Sequence, residues 1–519
     1  MRNGTLATDP ESSDARFAFS SFWLVLGLLT LVIRLPYFFV GVIDWDESTF
    51  ILMGHAIAAG FLPYEHVWDN KPPLLFAVFA VLAAVPGDPV LVVRVFGAIC
   101  VLVTAVLVYL LAQRICDRRG AGIAAVLYIV GMATSGAGQS TMSELVSTLP
   151  LLAAAWLLVA VRRRTIAVYA AVGALLSIAT LIRLNLGIVV IALGLWIVAV
   201  EYRGGFRGLV STVTAYAVAG LLVLAIVALP YVLSGQVDLF WHSVFGASFR
   251  YATTQGGLIE NLFAHARRVF DPTAGYPPGR LLFGWIASVA AVAGLILAAR
   301  RYRRLSGERR DAAVIVVLAA LGTTLSILMS GAALPHYLIA LLPFAAIFAG
   351  AAYAALATRV SKVAAIAITA TAVVFVLLQV SREYRALAQR LAAGERLMYG
   401  PAYDVADYLR SRCGPDCSVY LSVDHLAYVL IGAYPPRKIV THPSNIAKRS
   451  LLSADIGTAS TPALEMQALL ALRPEYIVKR DEVGYLEREQ ALLLAKTLGR
   501  DYELTATLGD RRIYHAKTP

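Results

Sequence analysis

Three carboxylates crowd into Asp44-Trp45-Asp46-Glu47, a few residues after the first long apolar run. Carboxylates this close at a membrane surface are unfavourable to ionise together unless one takes up a proton or meets a cation. A carboxylate fixed there can act as general base on an acceptor hydroxyl, or hold a metal. The residues also read as an ordinary helix start. In that reading Asp46 is the N-cap of Glu47–Ala59, Glu47 favours the helix dipole and Gly60 is the stop. The two roles are compatible, because a cap residue is rigidly held.

Asn70-Lys71-Pro72-Pro73-Leu74 follows, the double proline fixing the chain as it enters a short apolar helix. Lys71 is thereby mounted at the lipid–water boundary on the same loop as the carboxylates. There it can snorkel to lipid phosphate or bind the phosphate of a lipid-linked substrate. Thr141-Met-Ser-Glu144 has the form of a capping box. Arg183 and Asn185 interrupt a long apolar stretch, and an arginine at that depth requires a partner. His336-Tyr337 opens another helix and reads first as interfacial packing. The stretch from Trp241 to Arg268, including Arg250, mixes aromatics that stack on sugars with cations for phosphate.

The elements that carry these residues are membrane helices. The chain is 59% hydrophobic and only 15% charged, against roughly 25% charged in soluble proteins. This excludes a soluble enzyme, a secreted disulfide scaffold and a disordered chain. Eleven spans are expected, at about 22–40, 90–112, 120–138, 143–161, 166–182, 184–200, 209–233, 280–299, 312–330, 336–354 and 363–380. The stretch Pro72–Pro86 is about 15 residues long and falls short of a crossing. If it lies on or dips into the surface, basic clusters at 114–119, 162–164, 203–207, 300–310 and 359–362 all share one side with Arg16. By the positive-inside rule that side is the cytoplasm. The N-terminus is then cytoplasmic, and the outer loops 41–89 and 234–279 face the periplasm or exterior, as does everything beyond 380.

Residues 381–519 read as a small α/β soluble domain after a membrane domain of residues 1–380. Short strands are expected at Ser418–Val423, Tyr476–Val478 and Arg512–His515, with helices at Ala402–Ser411 and Leu464–Leu472. Cys413 and Cys417 can close a small disulfide loop, while Cys100 and Cys116 read as free thiols. The net charge of +12 sits in interhelical clusters, so nucleic acid is discarded as a partner. No Walker loop, dinucleotide fingerprint, zinc signature or nucleophile elbow is found. An outward-facing enzyme without a nucleotide site needs an activated lipid donor delivered in the membrane.

Asp46-Glu47, Gly60-x-x-Pro63-Tyr64, Lys71-Pro72-Pro73-Leu74, Arg94, Glu144 and His336-Tyr337 running to Pro343 resemble the GT-C glycosyltransferases of the protein O-mannosyltransferase and lipid A aminoarabinose transferase type. The resemblance covers roughly the first two-thirds of the chain. It implies an all-α polytopic fold with juxtamembrane helices in the first outer loop, and a polyprenyl-phosphate sugar donor. By the same resemblance Asp46 is the catalytic base, Glu47 an adjacent site carboxylate and Lys71 a donor-phosphate contact. Arg183, Arg250 and His336 join the expected phosphate set, with Asp44, Tyr64, Glu144, Asn185 and Tyr337 as further site candidates. Aminoarabinose transferases carry an acidic metal-holding residue before Lys-Pro-Pro. Here that position is Asn70, so no metal is assigned.

The expected function is inverting transfer of a sugar from the lipid donor to an envelope glycan, glycolipid or protein on the outer side of a bacterial inner membrane. The expected acceptor is of the lipopolysaccharide type. A transporter or lipid-linked-sugar flippase is the alternative, and a non-catalytic envelope-assembly subunit a third reading.

Overall fold

The computed structural model describes residues 10–161, 164–253, 306–330, 334–356, 362–414, 417–455 and 460–518, with scattered positions between 259 and 300. The expected span at 280–299 and the loop residues His265, Arg268 and Asp271 lie largely outside the described residues. Helices α1 (Pro10–Arg34), α4 (Pro89–Ile115), α5 (Arg118–Thr134), α6 (Ser143–Ala160), α7 (Ile166–Ile182), α8 (Gly187–Glu201) and α9 (Phe206–Leu233) form most of an apolar bundle. Among the described residues Gly307–Leu328, Leu342–Leu356 and Lys362–Ala392 also belong to it. Among the described residues, seven helical segments are long and apolar enough to cross a membrane. Many large apolar side chains point outward, such as Leu195, Leu221 and Ile226, as lipid-facing surfaces require.

Two short helices fill the segment between α1 and α4. The first, α2, spans Trp45–Ala58, and α3 spans Pro73–Ala83. At 1.5 Å per residue the 11 residues of α3 reach only about 16 Å, half the hydrocarbon thickness, so α3 does not cross. The two helices touch at Gly54, where an added Cβ would stand 2.6 Å from the Phe79 backbone. The cap of α2 differs from expectation. Asp44, not Asp46, is the N-cap, accepting from Asp46 N–H at 3.0 Å, because the helix begins two residues earlier. Asp46 is thereby freed from capping and projects from the first turn.

The C-terminal α/β unit has a four-stranded sheet in the order β1-β2-β4-β3. Its strands are β1 (Val419–Leu421), β2 (Tyr476–Arg480), β3 (Tyr502–Leu508) and β4 (Arg511–Ala516). β1 and β2 are parallel and the other pairs antiparallel. Strand β3 escapes the sequence pattern because its inward face is only partly covered. Helices Pro401–Arg410 and Pro462–Ala471 lie where the apolar periodicity put them, and Cys413 and Cys417 are joined by a disulfide. One apolar core runs unbroken from Phe50, Trp68, Phe76 and Phe79 of the first interhelical segment into Tyr403, Leu426, Val440 and Ile477 of this unit. Gly41 N–H donates to Tyr399 O at 2.8 Å and Tyr403 Oη to Asp88, the N-cap of α4. The sheet unit is therefore seated on the segment that carries the carboxylates.

Candidate active site

Asp46 and Glu47 are neighbours with opposite fates. A step of one residue along α2 turns the side chain by about 100°, so one carboxylate is sealed in the bundle and the other keeps some exposure. Glu47 accepts from Arg94 Nε at 2.8 Å, from Arg94 Nη2 and from Thr141 N–H. Arg94 spends its other donors on Tyr37 O and Gly41 O, at 3.0 and 3.2 Å. Gly97, one turn along α4, has no side chain to obstruct Thr141 Oγ1, which donates to Val93 O. Glu47 and Arg94 side chains are 2% and 0% exposed, whereas Asp46 and Lys71 keep 13% and 16%, so only the second pair is open to a ligand.

Lys71 Nζ lies 3.5 Å from Asp46 Oδ2 and 3.8 Å from Asp69 Oδ1, and donates to Asn70 Oδ1 at 3.3 Å. Its backbone is held from both sides. Lys71 N–H donates to Asp69 Oδ1, and Tyr64 Oη donates to Lys71 O at 2.6 Å. Tyr64 is fully buried and holds φ at 74°, a left-handed conformation that a bulky residue adopts only when its surroundings fix it. The tight Pro63-Tyr64 turn therefore fixes the loop that presents Lys71.

On the other side of Asp46, Arg183 Nη1 pairs with Glu144 Oε1 at 2.7 Å and donates to Ser143 Oγ at 3.0 Å. The expected capping box at Thr141 does not form; the helix starts after Met142 without a side-chain cap, and Glu144 turns to Arg183. The Arg183 guanidinium lies over the Tyr337 ring, 4.5 Å from its centroid. His336 Nε2 stands between two carboxylates, 4.0 Å from Asp46 Oδ2 and 3.9 Å from Glu144 Oε1. Among the described residues it has no hydrogen-bond partner. Asn185 is turned away, donating to Ser326 O at 3.1 Å. Arg250 is half-buried on Ala247–Thr253, beside Tyr251, whose hydroxyl lies 3.4 Å from Lys448 Nζ.

Two participants escape the sequence reading. Asp69, which no motif marks, is buried against Lys71 and Asn445. His442, from the C-terminal unit, places Nε2 3.3 Å from Asp46 Oδ1. Its one sequence signal is a histidine before Pro443, which starts a short helix at Pro443–Ala447.

The charges are mutually adjusted. Burial works to raise the Asp46 pKa, but Lys71, His442, His336 and Arg183 outweigh it and hold the carboxyl well below the usual range. Burial would lower the Lys71 pKa, and Asp46 with Asp69 more than reverse that. Burial, then the Asp46 charge, push Asp44 up to about 6. His442 is driven down to about 4 by burial against the pull of Asp46, so it is neutral at pH 7. Among the described residues no group of three His, Cys, Asp or Glu side chains is arranged to hold a metal ion.

An ionised carboxylate beside a lysine, both partly exposed, suits proton removal next to a bound anion. Residues 70–232 match the family described as dolichyl-phosphate-mannose-protein mannosyltransferase. No curated protein matches the chain. Among solved structures, ArnT from Cupriavidus metallidurans bound to undecaprenyl phosphate is similar at 14% identity and a TM-score of 0.58, covering 97% of this chain and 98% of that one. Its apo state gives 13% identity and 0.59 over 96% and 98%. AglB, an archaeal oligosaccharyltransferase from Archaeoglobus fulgidus in complex with an inhibitory peptide and a dolichol-phosphate, gives 14% and 0.54 over 97% and 75%. The matched segment and the shared fold give this chain the architecture of the GT-C glycosyltransferase superfamily. It is a multi-pass membrane protein.

Proposed function

We propose that this protein is a glycosyltransferase that moves a sugar from a polyprenyl-phosphate donor to an envelope glycolipid or polysaccharide on the outer side of a bacterial inner membrane. The observation that carries the reading is the pairing of Asp46 with Lys71, a base and a phosphate-binding cation in one opening. Similarity to proteins solved with undecaprenyl phosphate and a dolichol-phosphate supports the donor class. The basic interhelical clusters support the orientation.

The reaction is a single displacement with inversion. The acceptor oxygen attacks the anomeric carbon while the bond from that carbon to the phosphate oxygen breaks. The acceptor proton passes to Asp46, and polyprenyl phosphate departs against Lys71, with Arg183 and His336 nearby. In the resting arrangement Asp46 is a weak base, because Lys71 is its counter-ion. A donor phosphate that takes over Lys71 neutralises that cation and adds negative charge, so Asp46 gains basicity only when donor is bound. General-base help supplies roughly 10²–10⁴-fold, and positioning supplies the rest. Glu47, held by Arg94 and Thr141, fixes α2 and hence the direction of Asp46.

The test is reconstitution in lipid with polyprenyl-phosphate sugars and an envelope glycolipid extract. An enzyme releases polyprenyl phosphate and labels the acceptor, whereas a flippase moves the lipid unchanged. Asp46→Asn is expected to abolish transfer and remain folded. Turnover by that variant at the wild-type rate overturns the assignment.

A further inference from the structure

The residue that completes the environment of Asp46 comes from the far end of the chain. His442 reaches it on a segment fixed to the first interhelical loop at several points. Trp68 N–H donates to Lys438 O at 2.8 Å, and Thr441 Oγ1 donates back to Trp68 O. Thr49 Oγ1, on α2 itself, donates to Thr441 O at 2.8 Å. Asn445 Nδ2 reaches Asp69 Oδ2 at 3.5 Å. From the other side Gln490 Nε2 donates to Ile446 O at 2.9 Å, tying the segment to the helix Arg488–Asp501 of the sheet unit. Thr49, Trp68, Thr441, Asn445 and Gln490 are all buried, so these bonds are shielded from water and the segment is held in one place.

The ring itself is oriented by its own backbone. Ser444 N–H donates to His442 Nδ1 at 3.1 Å, the N-cap bond of the short helix. A ring nitrogen that accepts a backbone N–H carries no proton, so in the neutral imidazole the proton is on Nε2. Nε2 is the atom 3.3 Å from Asp46 Oδ1, and the Trp45 ring packs edge-on against the imidazole. His442 thus turns the Nε2 side of its ring towards one oxygen of Asp46. The other oxygen, Oδ2, is the one that faces Lys71 and His336.

We infer that the C-terminal α/β unit is a working part of the active site, and that His442 is the positioning residue that holds Oδ1 of Asp46 so that Oδ2 is presented to the acceptor hydroxyl. The inference rests on Asp46 being the base. Its physical content is simple. When the donor phosphate draws Lys71 away, Asp46 loses its counter-ion, and the imidazole N–H turned towards Oδ1 at 3.3 Å is what keeps the carboxylate ionised and aimed. Asp46 is also faced by Asp44 on its own helix cap, by Asp69 and Lys71 of the following loop, by Glu144 and Arg183, and by His336 and Tyr337. Lys448 lies on the His442 side. Of these, His442 is the one whose tautomer, set by Ser444 N–H at Nδ1, leaves a ring N–H on the side of Oδ1.

The experiment uses the full-length protein in lipid with the polyprenyl-phosphate sugar found active for the wild type. It compares His442→Ala with His442→Gln, whose amide keeps an N–H donor near the position of Nε2. Partners that orient a reacting group typically account for about 10–100-fold in activity. His442→Ala is expected to lower kcat by that factor with little change in donor KM. It should also move the acid limb of the kcat profile, which reports the donor-bound complex, to higher pH, because the charged carboxylate loses the N–H turned towards it. His442→Gln should restore most of kcat and return the limb towards its wild-type position. Wild-type kcat and pH profile in the alanine variant overturn the inference. So does a slow alanine variant with an unmoved acid limb and no rescue by glutamine, which marks a purely structural role. If Asp46→Asn itself retains transfer, it is the assignment of the base that fails, and the two failures are told apart.

Discussion

The Arg94 guanidinium closes on both oxygens of Glu47, with Nε 2.8 and 2.9 Å from Oε1 and Oε2, inside a site from which water is excluded. The pair joins α2 to α4, and through Thr141 N–H to the start of α6. Three elements that must hold Asp46 in place therefore share one ion pair. Removing one partner strands a buried charge, at about 3–5 kcal/mol. Arg94→Ala is expected to lower stability by that amount in detergent unfolding. Glu47→Gln, which retains an acceptor for Thr141, should lose less. Equal stability of Arg94→Ala and wild type contradicts the lock.

Lys71 has a different signature. Deleting a charged donor aimed at a developing anion lowers rate by about 10²–10³-fold. Lys71→Ala should show that loss in transfer and weaker inhibition by free polyprenyl phosphate, measured by titrating the inhibitor. Lys71→Arg, which keeps the charge on a longer fork, should lie between. Unchanged inhibition in Lys71→Ala shows that the lysine does not meet the phosphate.

Asp44 sets a pH dependence of stability. Its folded pKa, about 6, lies above the ordinary value of 3.8, so folding favours the protonated form. That contribution is complete below the unfolded value and is lost as pH rises through 6. Asparagine caps a helix as well as aspartate and carries no charge. Asp44→Asn is therefore expected to melt higher than wild type at pH 7.5, with the gap closing as pH falls towards 4. A gap that stays constant over that range counts against the assignment.

Tyr64→Phe removes only the bond from Oη to Lys71 O. One such hydrogen bond contributes about 1 kcal/mol net. The variant should stay folded, lose about that much stability and show a raised donor KM, because the lysine loop is less well held. Michaelis curves for the two proteins decide it.

Chain-local physics was legible without coordinates. Hydropathy runs long enough to cross a bilayer, an apolar stretch too short to cross, and a proline pair before Lys71 are all one-dimensional signals. They placed the described helices of the bundle, the two short helices and Lys71 on the same loop as the carboxylates. The same signals singled out Arg183 as a charge in an apolar setting that requires a partner, while Glu47 and Glu144 read as residues of helix starts. Which partner each takes was not legible.

Tertiary structure decided the pairing. Glu47 and Asp46 are adjacent in sequence and equivalent in charge. Only the direction of each side chain on α2, and the presence of Arg94 behind one of them, separates a sealed lock from an open acid. Beyond its place before Pro443, the sequence does not mark His442, because its role depends on a through-space contact between the two ends of the chain. Helix and span signals accumulate over many neighbouring residues. A site built from single side chains on distant segments is specified by packing, and packing exists only once the chain has folded.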